Sequence, residues 1–464
     1  MASGKTLKAH EIDMLKGSLL KNMLLFALPI AASSILQQLF NSVDVAVVGN
    51  FAANEAQAQA AVGCNGPVIN LIINLFIGVS VGANVVISNY IGQNKMEKVS
   101  KAVHTAMGLA LVSGVILLAL GLVIARPVLE LINTPEDVLP YAVQYLQIYS
   151  LGMPFIMVYN FGAAILRCIG DTRRPLYCLI ISGFINAGLN MVLVIVFHLD
   201  VAGVAIATVI SNVISAGLVW HFLTHETSQV RLYVKRLSIG GQDLERILAI
   251  GIPAGVQGMV FSIANVCIQS VLNDFGTDAV AGSAVILNYE NITYFMIAAF
   301  GQTVVTFTSQ NYGAGQYDRC KRIFRIGLIT SVCCTLVLSW SFVLGRDFFI
   351  SLFNQDPNVA HYAEIRMLYL MVLYFIINSY EIGGGALRGM EHSMVPAVLT
   401  IFGTCLLRLV WAYTLCRIYP SFELLMVVYP VSWIITGTAI LSAYFIIRKK
   451  AFGPSPAVSP GGGD

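Results

Sequence analysis

The sequence predicts an all-α integral membrane protein with twelve transmembrane helices, arranged as two pseudo-symmetric six-helix lobes around a central cavity. Of its 464 residues, 57% are hydrophobic and only 11% are charged, whereas about 25% of residues are charged in soluble domains. The charged residues are grouped between apolar runs, and each run is long enough to cross about 30 Å of hydrocarbon. Motifs in the first half of the chain also recur in the second half, which predicts two related lobes.

Twelve apolar runs predict the membrane-spanning helices. Several runs exceed the roughly 20 residues that a spanning helix needs, so we expect tilted helices, with kinks at Pro29, Pro154 and Pro253. The runs lie at residues 23–48, 61–91, 102–125, 139–166, 175–197, 201–224, 244–273, 279–309, 323–345, 360–387, 394–416 and 424–447.

The polar stretches between these runs predict how the chain is divided. Residues 1–21 form a polar N-terminal segment without the pattern of a signal peptide. We expect the two lobes at residues 22–224 and 243–447, joined by a polar linker at 225–242. The tail at 448–464 begins basic and becomes rich in proline and glycine, which predicts disorder.

The distribution of basic residues predicts the orientation in the membrane. Lysine and arginine cluster on one side of the predicted helices, at Lys95–Lys101, Arg173–Arg174, Arg231–Arg236, Arg319–Arg325 and Arg448–Lys450. The opposite loops carry mainly acidic residues. The positive-inside rule then predicts a multi-pass plasma membrane protein with both termini in the cytoplasm. The net charge of +3 reflects these helix ends and does not indicate a nucleic-acid partner.

An internal repeat relates the two halves of the chain. Since each half is predicted to hold an even number of helices, both halves enter the membrane from the same side, and the axis relating them runs along the membrane normal. Such repeats generally place the substrate site between the halves. Three pairs of matching segments occur about 221 residues apart: Ser88–Asn94 with Ser309–Gly315, Leu166–Pro175 with Leu387–Pro396, and Leu28–Ile30 with Ile252–Ala254.

No sequence feature indicates an enzyme or a bound cofactor. The nine cysteines show neither CxxC nor metal-ligand spacing. The chain also lacks a P-loop, an HExxH motif, a nucleophile elbow and a channel filter sequence. We expect a monomer whose partners are the lipid bilayer and small organic molecules.

Four motifs together resemble those of the multidrug and toxic compound extrusion (MATE) family, in its bacterial multidrug-efflux branch. They are Asn41–Gly49, Val201–Thr208, Ser309–Gly315 and Leu387–Gly389, and the resemblance extends over residues 15–450. It implies a V-shaped pair of six-helix lobes that exports amphipathic, often cationic compounds in exchange for H⁺ or Na⁺.

Asp44 is the foremost candidate for ion coupling. Gln37, Asn41 and Asp44 follow i, i+4, i+7 spacing and share one face of the first helix. An ionisable residue at membrane depth is costly and usually functional, and a carboxyl partly removed from water binds protons more readily. The resemblance implies the same role, because Asp44 matches the family's first-helix aspartate. The alternative is a hydrogen-bonded structural aspartate.

Four further residues complete the predicted coupling site. Asn186 and Asn190 lie one turn apart on the fifth helix and resemble the family's polar pair there, although some members carry an aspartate at the second position. The resemblance adds Tyr145 and Thr208 as hydrogen-bonding neighbours. Each of these residues is alternatively an interhelical polar contact. Asn41 completes the coupling set around Asp44.

The C-terminal half departs from the family pattern. Phe261 and Asn378 occupy positions where sodium-coupled relatives carry acids, so the resemblance favours H⁺ over Na⁺ as the coupling ion. Glu290 and Glu381 either attract a cationic substrate, or one of them pairs with Arg408. The predicted substrate-binding residues are Gln37, Tyr289, Glu290, Asn378, Glu381 and Arg408.

A flippase for a lipid-linked precursor, from the same superfamily, is the rival interpretation. A phosphate-bearing headgroup requires several cationic residues in the cavity, whereas Arg408 is the one that we place deep in the membrane. With Asp44, Glu290 and Glu381 as acids at similar depth, the sign of the charge favours cationic substrates.

Overall fold

The computed structural model describes residues 11–52, 55–132, 134–227 and 230–452. Eleven helices in this part of the chain are long and apolar enough to cross a membrane, and a bent pair of shorter helices makes a twelfth span. The predicted all-α membrane fold with twelve spans is therefore confirmed. The start of the N-terminal segment and the part of the predicted tail from Gly453 onward lie outside the described residues. The prediction of disorder is wrong for the first residues of that tail, because Arg448–Ala451 continue the last helix.

We number the spans α1 to α12 in chain order. They are α1 Leu19–Phe51, α2 Glu55–Gly92, α3 Met96–Leu131, α4 Leu139–Ser150 with Met153–Cys168, α5 Arg173–Val196, α6 Asp200–Thr224, α7 Gly241–Asn273, α8 Thr277–Gly313, α9 Tyr317–Leu344, α10 Pro357–Gly389, α11 Met394–Ile418 and α12 Phe422–Ala451. A short helix, Arg346–Ser351, precedes α10.

The helices deviate from regular geometry at specific places. Helix α4 bends by 48° between its two parts, and Pro154 lies in the first turn of the second part, where proline is tolerated because its missing N–H has no helical partner. By contrast, α1 and α7 continue through Pro29 and Pro253. Helix α10 tightens to a 3₁₀ segment at Met371–Ile376.

The buried apolar side chains form two cores, and α1 and α7 contribute to both. The first core is built mainly from α2 to α6 and the second mainly from α8, α10 and α12. Phe26 near the start of α1 packs in the second core, whereas Val48 near its end packs in the first. On α7 the order is reversed, because Ile250 near its start packs in the first core and Ile268 near its end packs in the second. These two helices therefore cross from one core to the other.

Four glycines bring α2 and α7 into backbone contact. Gly78 and Gly82 are one turn apart on α2, and Gly251 and Gly255 are one turn apart on α7. A Cβ on Gly78 would lie 2.1 Å from the backbone nitrogen of Gly255, and one on Gly82 would lie 2.3 Å from the carbonyl oxygen of Ile247. Paired small residues allow two membrane helices to approach closely without side chains between them.

Hydrogen bonds join the two halves at the face where α1 begins and α12 ends, which we call the terminal face. The hydroxyl of Tyr90 donates to Asp243 at 2.8 Å, and that of Thr306 donates to Asn84 at 3.0 Å. The segment before α1 adds contacts to both halves, since the Ile12 backbone N–H donates to the carbonyl of Gly170 at 3.2 Å and Asn311 donates to that of Met14 at 3.0 Å. The halves are therefore tied together at this face.

The glycine contact predicts opposite effects of alanine at two positions of α2. Gly78→Ala should destabilise the protein by about 1–3 kcal/mol, because the added methyl group overlaps the α7 backbone. Gly63→Ala is the matched control, since no atom lies within 4 Å of a Cβ there, and alanine favours helix over glycine by up to about 1 kcal/mol. Thermal unfolding of the purified variants measures the difference. Equal midpoints for the two variants would show that the helices do not depend on this contact.

Candidate functional site

A cavity of about 790 Å³ lies between the two halves and is lined by residues from α1, α2, α4 to α8 and α10 to α12. Its lining ends at Ile77 on α2, directly before the glycine contact, and at Phe295 on α8. In the other direction it extends to Leu272 and Val280, near the ends of α7 and α8 that are remote from the terminal face. The cavity is therefore closed at the terminal face and reaches toward the opposite one.

Asp44 lies on the N-terminal side of this cavity at the centre of a hydrogen-bond cluster. The carboxylate is only 7% exposed. The Asn190 amide donates to its Oδ1, and the Thr208 hydroxyl lies 3.4 Å from its Oδ2. Asn190 also lies 3.2 Å from the Asn186 oxygen, and the Asn186 amide lies 3.4 Å from Thr208. Helices α1, α5 and α6 thus bring four of the predicted coupling residues together.

The other predicted residues of this half occupy different positions. Asn41 and Gln37 are exposed to the cavity and line it. Tyr145 is buried and stacks on Tyr149, with ring centroids 5.9 Å apart. Tyr149, not Tyr145, contributes to the cavity lining. Tyr145, which we predicted as a hydrogen-bonding neighbour of Asp44, therefore packs against Tyr149 instead of lining the cavity.

The chemistry around Asp44 is that of a carboxylate with neutral partners. In the described part of the chain, no basic side chain forms an ion pair with Asp44. The side-chain oxygen of Asn190 is buried and has no hydrogen-bond donor. Among the described residues, the buried carboxylate of Asp44 is therefore stabilised by hydrogen bonds and not by a cation.

Glu290 forms a buried ion pair with Arg366, which the sequence analysis missed. The guanidinium donates from Nε to Oε1 at 2.7 Å and from a terminal nitrogen to Oε2 at 3.1 Å. Each residue is 6% exposed, and both line the cavity. The possibility that Glu290 pairs with Arg408 is therefore wrong. The sequence signal that could have identified Arg366 was its position inside the tenth apolar run.

Arg408 lines the same side of the cavity. It is 2% exposed, and its Nε donates to the Ser432 hydroxyl at 3.0 Å. Its guanidinium lies over the ring of Tyr429 at 4.4 Å and over that of Phe261 at 5.8 Å. No acidic residue among those described forms an ion pair with it.

The cavity surface does not carry the excess of acidic residues that the sequence predicted. Two acids, Asp44 and Glu290, and two bases, Arg366 and Arg408, line the cavity in the described residues. The expectation that Arg408 is the one deep cation is wrong, and the argument from it for cationic substrates no longer holds. Instead, the negative charge of the N-terminal side faces a net positive charge on the C-terminal side.

Three predicted substrate-binding residues are not part of the cavity lining. Tyr289 packs among aromatic rings and donates to the carbonyl of Phe349 at 2.7 Å. Asn378 is fully buried and donates to Thr335 at 3.1 Å. Glu381 accepts from Tyr294 at 3.1 Å, and it is Tyr294 that lines the cavity. The polar groups of these three residues therefore form hydrogen bonds with other residues of the C-terminal half.

Several amide side chains on the cavity surface were not predicted. Asn74 joins the two halves, because its amide donates to Ser262 at 2.9 Å. The sequence signal was i, i+4 spacing inside apolar runs, which places such pairs on one helix face. The cavity-lining amides missed by the sequence analysis are Gln38, Asn70, Asn74, Asn160, Asn212, Asn265, Gln269 and Asn291.

The two glutamates should differ in their effect on stability. Glu290→Gln leaves the Arg366 guanidinium buried without a counter-charge, so we expect a loss of about 3–5 kcal/mol. Glu381→Gln is the control, because glutamine still accepts from Tyr294. Thermal unfolding of both variants distinguishes the two cases. A stable Glu290→Gln protein that has lost only substrate binding would instead assign Glu290 to the substrate.

Comparison with known proteins gives consistent matches along the chain. The MatE family model matches twice, at residues 29–192 and 253–414, in agreement with the internal repeat. The probable multidrug resistance protein YoeA of Bacillus subtilis (strain 168) is 26% identical over 444 residues, which covers 94% of this chain and 95% of the relative. The FAD transporter of Shewanella oneidensis is 26% identical over 361 residues and covers 76% of this chain and 79% of the relative.

Solved structures share the fold. A crystal structure of a MATE protein in complex with MaL6 superposes with a TM-score of 0.88 at 19% identity, covering 96% of this chain and 99% of that one. The outward-facing conformation of a multidrug resistance MATE family transporter superposes with a TM-score of 0.87 at 20% identity, covering 97% of this chain and 100% of that one.

Proposed function

The chain belongs to the MatE family of membrane transporters, and from this premise we propose that it is a proton-coupled antiporter that exports amphipathic small organic molecules by alternating access. The observation that carries the proposal is the buried Asp44 cluster on the cavity surface. A single carboxylate that faces the cavity with only neutral partners can take up and release a proton without breaking an ion pair.

The orientation follows from the basic residues at the helix ends. We propose that the terminal face is cytoplasmic and that the protein lies in the plasma membrane, because the basic clusters lie at that face. The cavity then opens toward the outside, which is the side from which external protons reach Asp44 and to which the substrate is released.

Protonation of Asp44 changes the hydrogen bonds that its neighbours can form with it. When Asp44 is ionised, the Asn190 nitrogen donates to it. When it is protonated, its hydroxyl can donate to the Asn190 oxygen after the amide rotates, and that oxygen otherwise has no partner. The neutral carboxyl also lowers the cost of removing water from this side of the cavity. We therefore propose that proton binding favours repacking of α1 and closure of the cavity.

Sodium is the less favoured coupling ion. A Na⁺ site requires several oxygen ligands around one point. At Asp44, the Asn190 amide presents its nitrogen, and the Thr208 hydroxyl also lies 2.9 Å from the Val204 carbonyl. These partners suit a carboxylate better than a metal ion.

The range of substrates is set by the cavity surface. Relatives of this chain carry the names of multidrug exporters and of a FAD transporter, so the names within the family do not point to a single substrate. Since acids and arginines balance on the cavity surface, we propose amphipathic substrates without restriction to cations. A lipid-linked precursor flippase remains the alternative, but Arg366 is already neutralised by Glu290, which leaves Arg408 as the available cation among the described lining residues.

Asp44→Asn should abolish transport that is driven by a proton gradient. The amide preserves the size of the side chain and much of its hydrogen bonding but cannot change charge. We expect loss of efflux from proteoliposomes for both ethidium, a cation, and 2-naphthoate, an anion. Asp347→Asn is the matched control, because the Asp347 side chain is 98% exposed.

Two outcomes of this experiment are decisive. Normal proton-driven efflux by Asp44→Asn would place the coupling site elsewhere. Loss of efflux in Asp347→Asn as well would show that the assay responds to general damage and not to the carboxylate.

The coupling ion is tested by imposing one gradient at a time. Proteoliposomes with an inward proton gradient and no Na⁺ should export substrate, whereas an inward Na⁺ gradient at equal pH on both sides should not. Efflux that follows Na⁺ alone would overturn the proton assignment while leaving antiport intact.

A further inference from the structure

We propose that Arg408 binds an anionic group of the transported substrate, a carboxylate or a phosphate, on the C-terminal side of the cavity. The inference rests on the proposed function, because it concerns the same cavity. It names one chemical class among the proposed amphipathic substrates: aromatic organic anions.

The two cavity arginines differ in whether they have a counter-charge. Arg366 receives both oxygens of Glu290. Arg408 is buried to a greater extent, yet it forms one hydrogen bond, from Nε to Ser432, and no ion pair within the described residues. A guanidinium at membrane depth is costly, and such residues usually pair with an acid or serve a ligand.

The free atoms of Arg408 are those that recognise anions. The Ser432 bond uses Nε and so fixes the plane of the guanidinium. Neither terminal nitrogen of Arg408 makes a hydrogen bond in the described part of the chain, and neither is completely buried. A fixed planar pair of N–H donors matches the two oxygens of a carboxylate or phosphate.

Aromatic rings surround this guanidinium and indicate the rest of the substrate. Tyr429 and Phe261 lie against it, and Trp433, which also lines the cavity, makes an edge contact with Tyr429 at a centroid distance of 6.2 Å. Flat apolar groups next to a cation suit an aromatic ring that carries the anionic group.

Asp44 does not compete directly for this position. It lies on α1 with partners on α5 and α6, whereas Arg408 lies on α11 with its partner on α12. The proton and the anion therefore occupy opposite sides of the cavity, and their exchange depends on movement of the halves.

The test uses three probes of nearly equal shape that differ in charge: 2-naphthoate, 2-naphthamide and 2-naphthylmethylammonium. Binding to the full-length protein in nanodiscs of phosphatidylcholine is measured by calorimetry. We expect 2-naphthoate to bind about 10- to 100-fold more tightly than 2-naphthamide, as for a hydrogen bond to a charged group. The cation should bind no better than the amide.

The variants assign this preference to Arg408. Arg408→Gln should remove the preference for 2-naphthoate and leave 2-naphthamide binding within about twofold, whereas Arg408→Lys should retain part of it, because lysine keeps the charge but not the planar donor pair. Arg417→Gln is the matched control, since Arg417 is an exposed residue of the same helix. Thermal unfolding confirms that each variant is folded.

Lipid headgroups offer the same anionic chemistry and need a separate arm. Nanodiscs with phosphatidylglycerol should leave 2-naphthoate binding unchanged if the site serves a soluble anion. Competition by that lipid would identify a headgroup as the occupant and overturn the assignment to a transported aromatic anion.

Other outcomes also decide the question. Equal binding of naphthoate and naphthamide by the wild-type protein overturns the proposal even if Arg408→Gln does not fold. An equal loss of all three probes in Arg408→Gln would assign the arginine a structural role. Neither result affects the antiport proposal, which depends on Asp44→Asn and on gradient-driven efflux.

Discussion

The backbone contact between α2 and α7 is the constraint on which the cavity depends. Without side chains at Gly78, Gly82, Gly251 and Gly255, the two helices approach closely enough to close one end of the space between the halves. Apolar lipid provides no hydrophobic force to hold helices together, so close packing and hydrogen bonds must do so. The cavity begins one residue before this contact, and its polar groups therefore face a space that is closed at this end.

The hydrophobic runs and the internal repeat made the fold predictable from the sequence. The pairing of charged residues could not be predicted in this way. Apolar length determines the number of spans, and the repeat appears in the sequence itself. The polar face of α1 similarly identified Asp44, because helical spacing is local information. The Glu290 and Arg366 pair joins α8 to α10, and no sequence pattern states which acid meets which base. Tyr289 and Asn378 were misplaced for the same reason, since the side of a buried helix that faces the cavity depends on its neighbours.

The two halves have diverged in how they satisfy polar groups inside the membrane. The N-terminal half surrounds one carboxylate with amides and a hydroxyl, and in the proposed mechanism a proton removes its charge without breaking an ion pair. The C-terminal half contains a complete ion pair, which resists any change of charge because either partner alone is expensive to bury. An ion pair is a poor proton carrier for this reason. The asymmetry therefore favours coupling in the N-terminal half and leaves the C-terminal half free to bind a ligand.

In the proposed mechanism, the path of α1 links a local change at Asp44 to movement of the halves. Its first turns pack with Phe26 in the second core and its last turns with Val48 in the first. Asp44 lies one turn before Val48, close to the point where the helix meets the first core. Packed cores resist continuous deformation and shift between discrete arrangements. Because α1 is packed in both cores, we propose that a change of its contacts at Asp44 either bends the helix or moves one core relative to the other. Either response would alter the cavity between them.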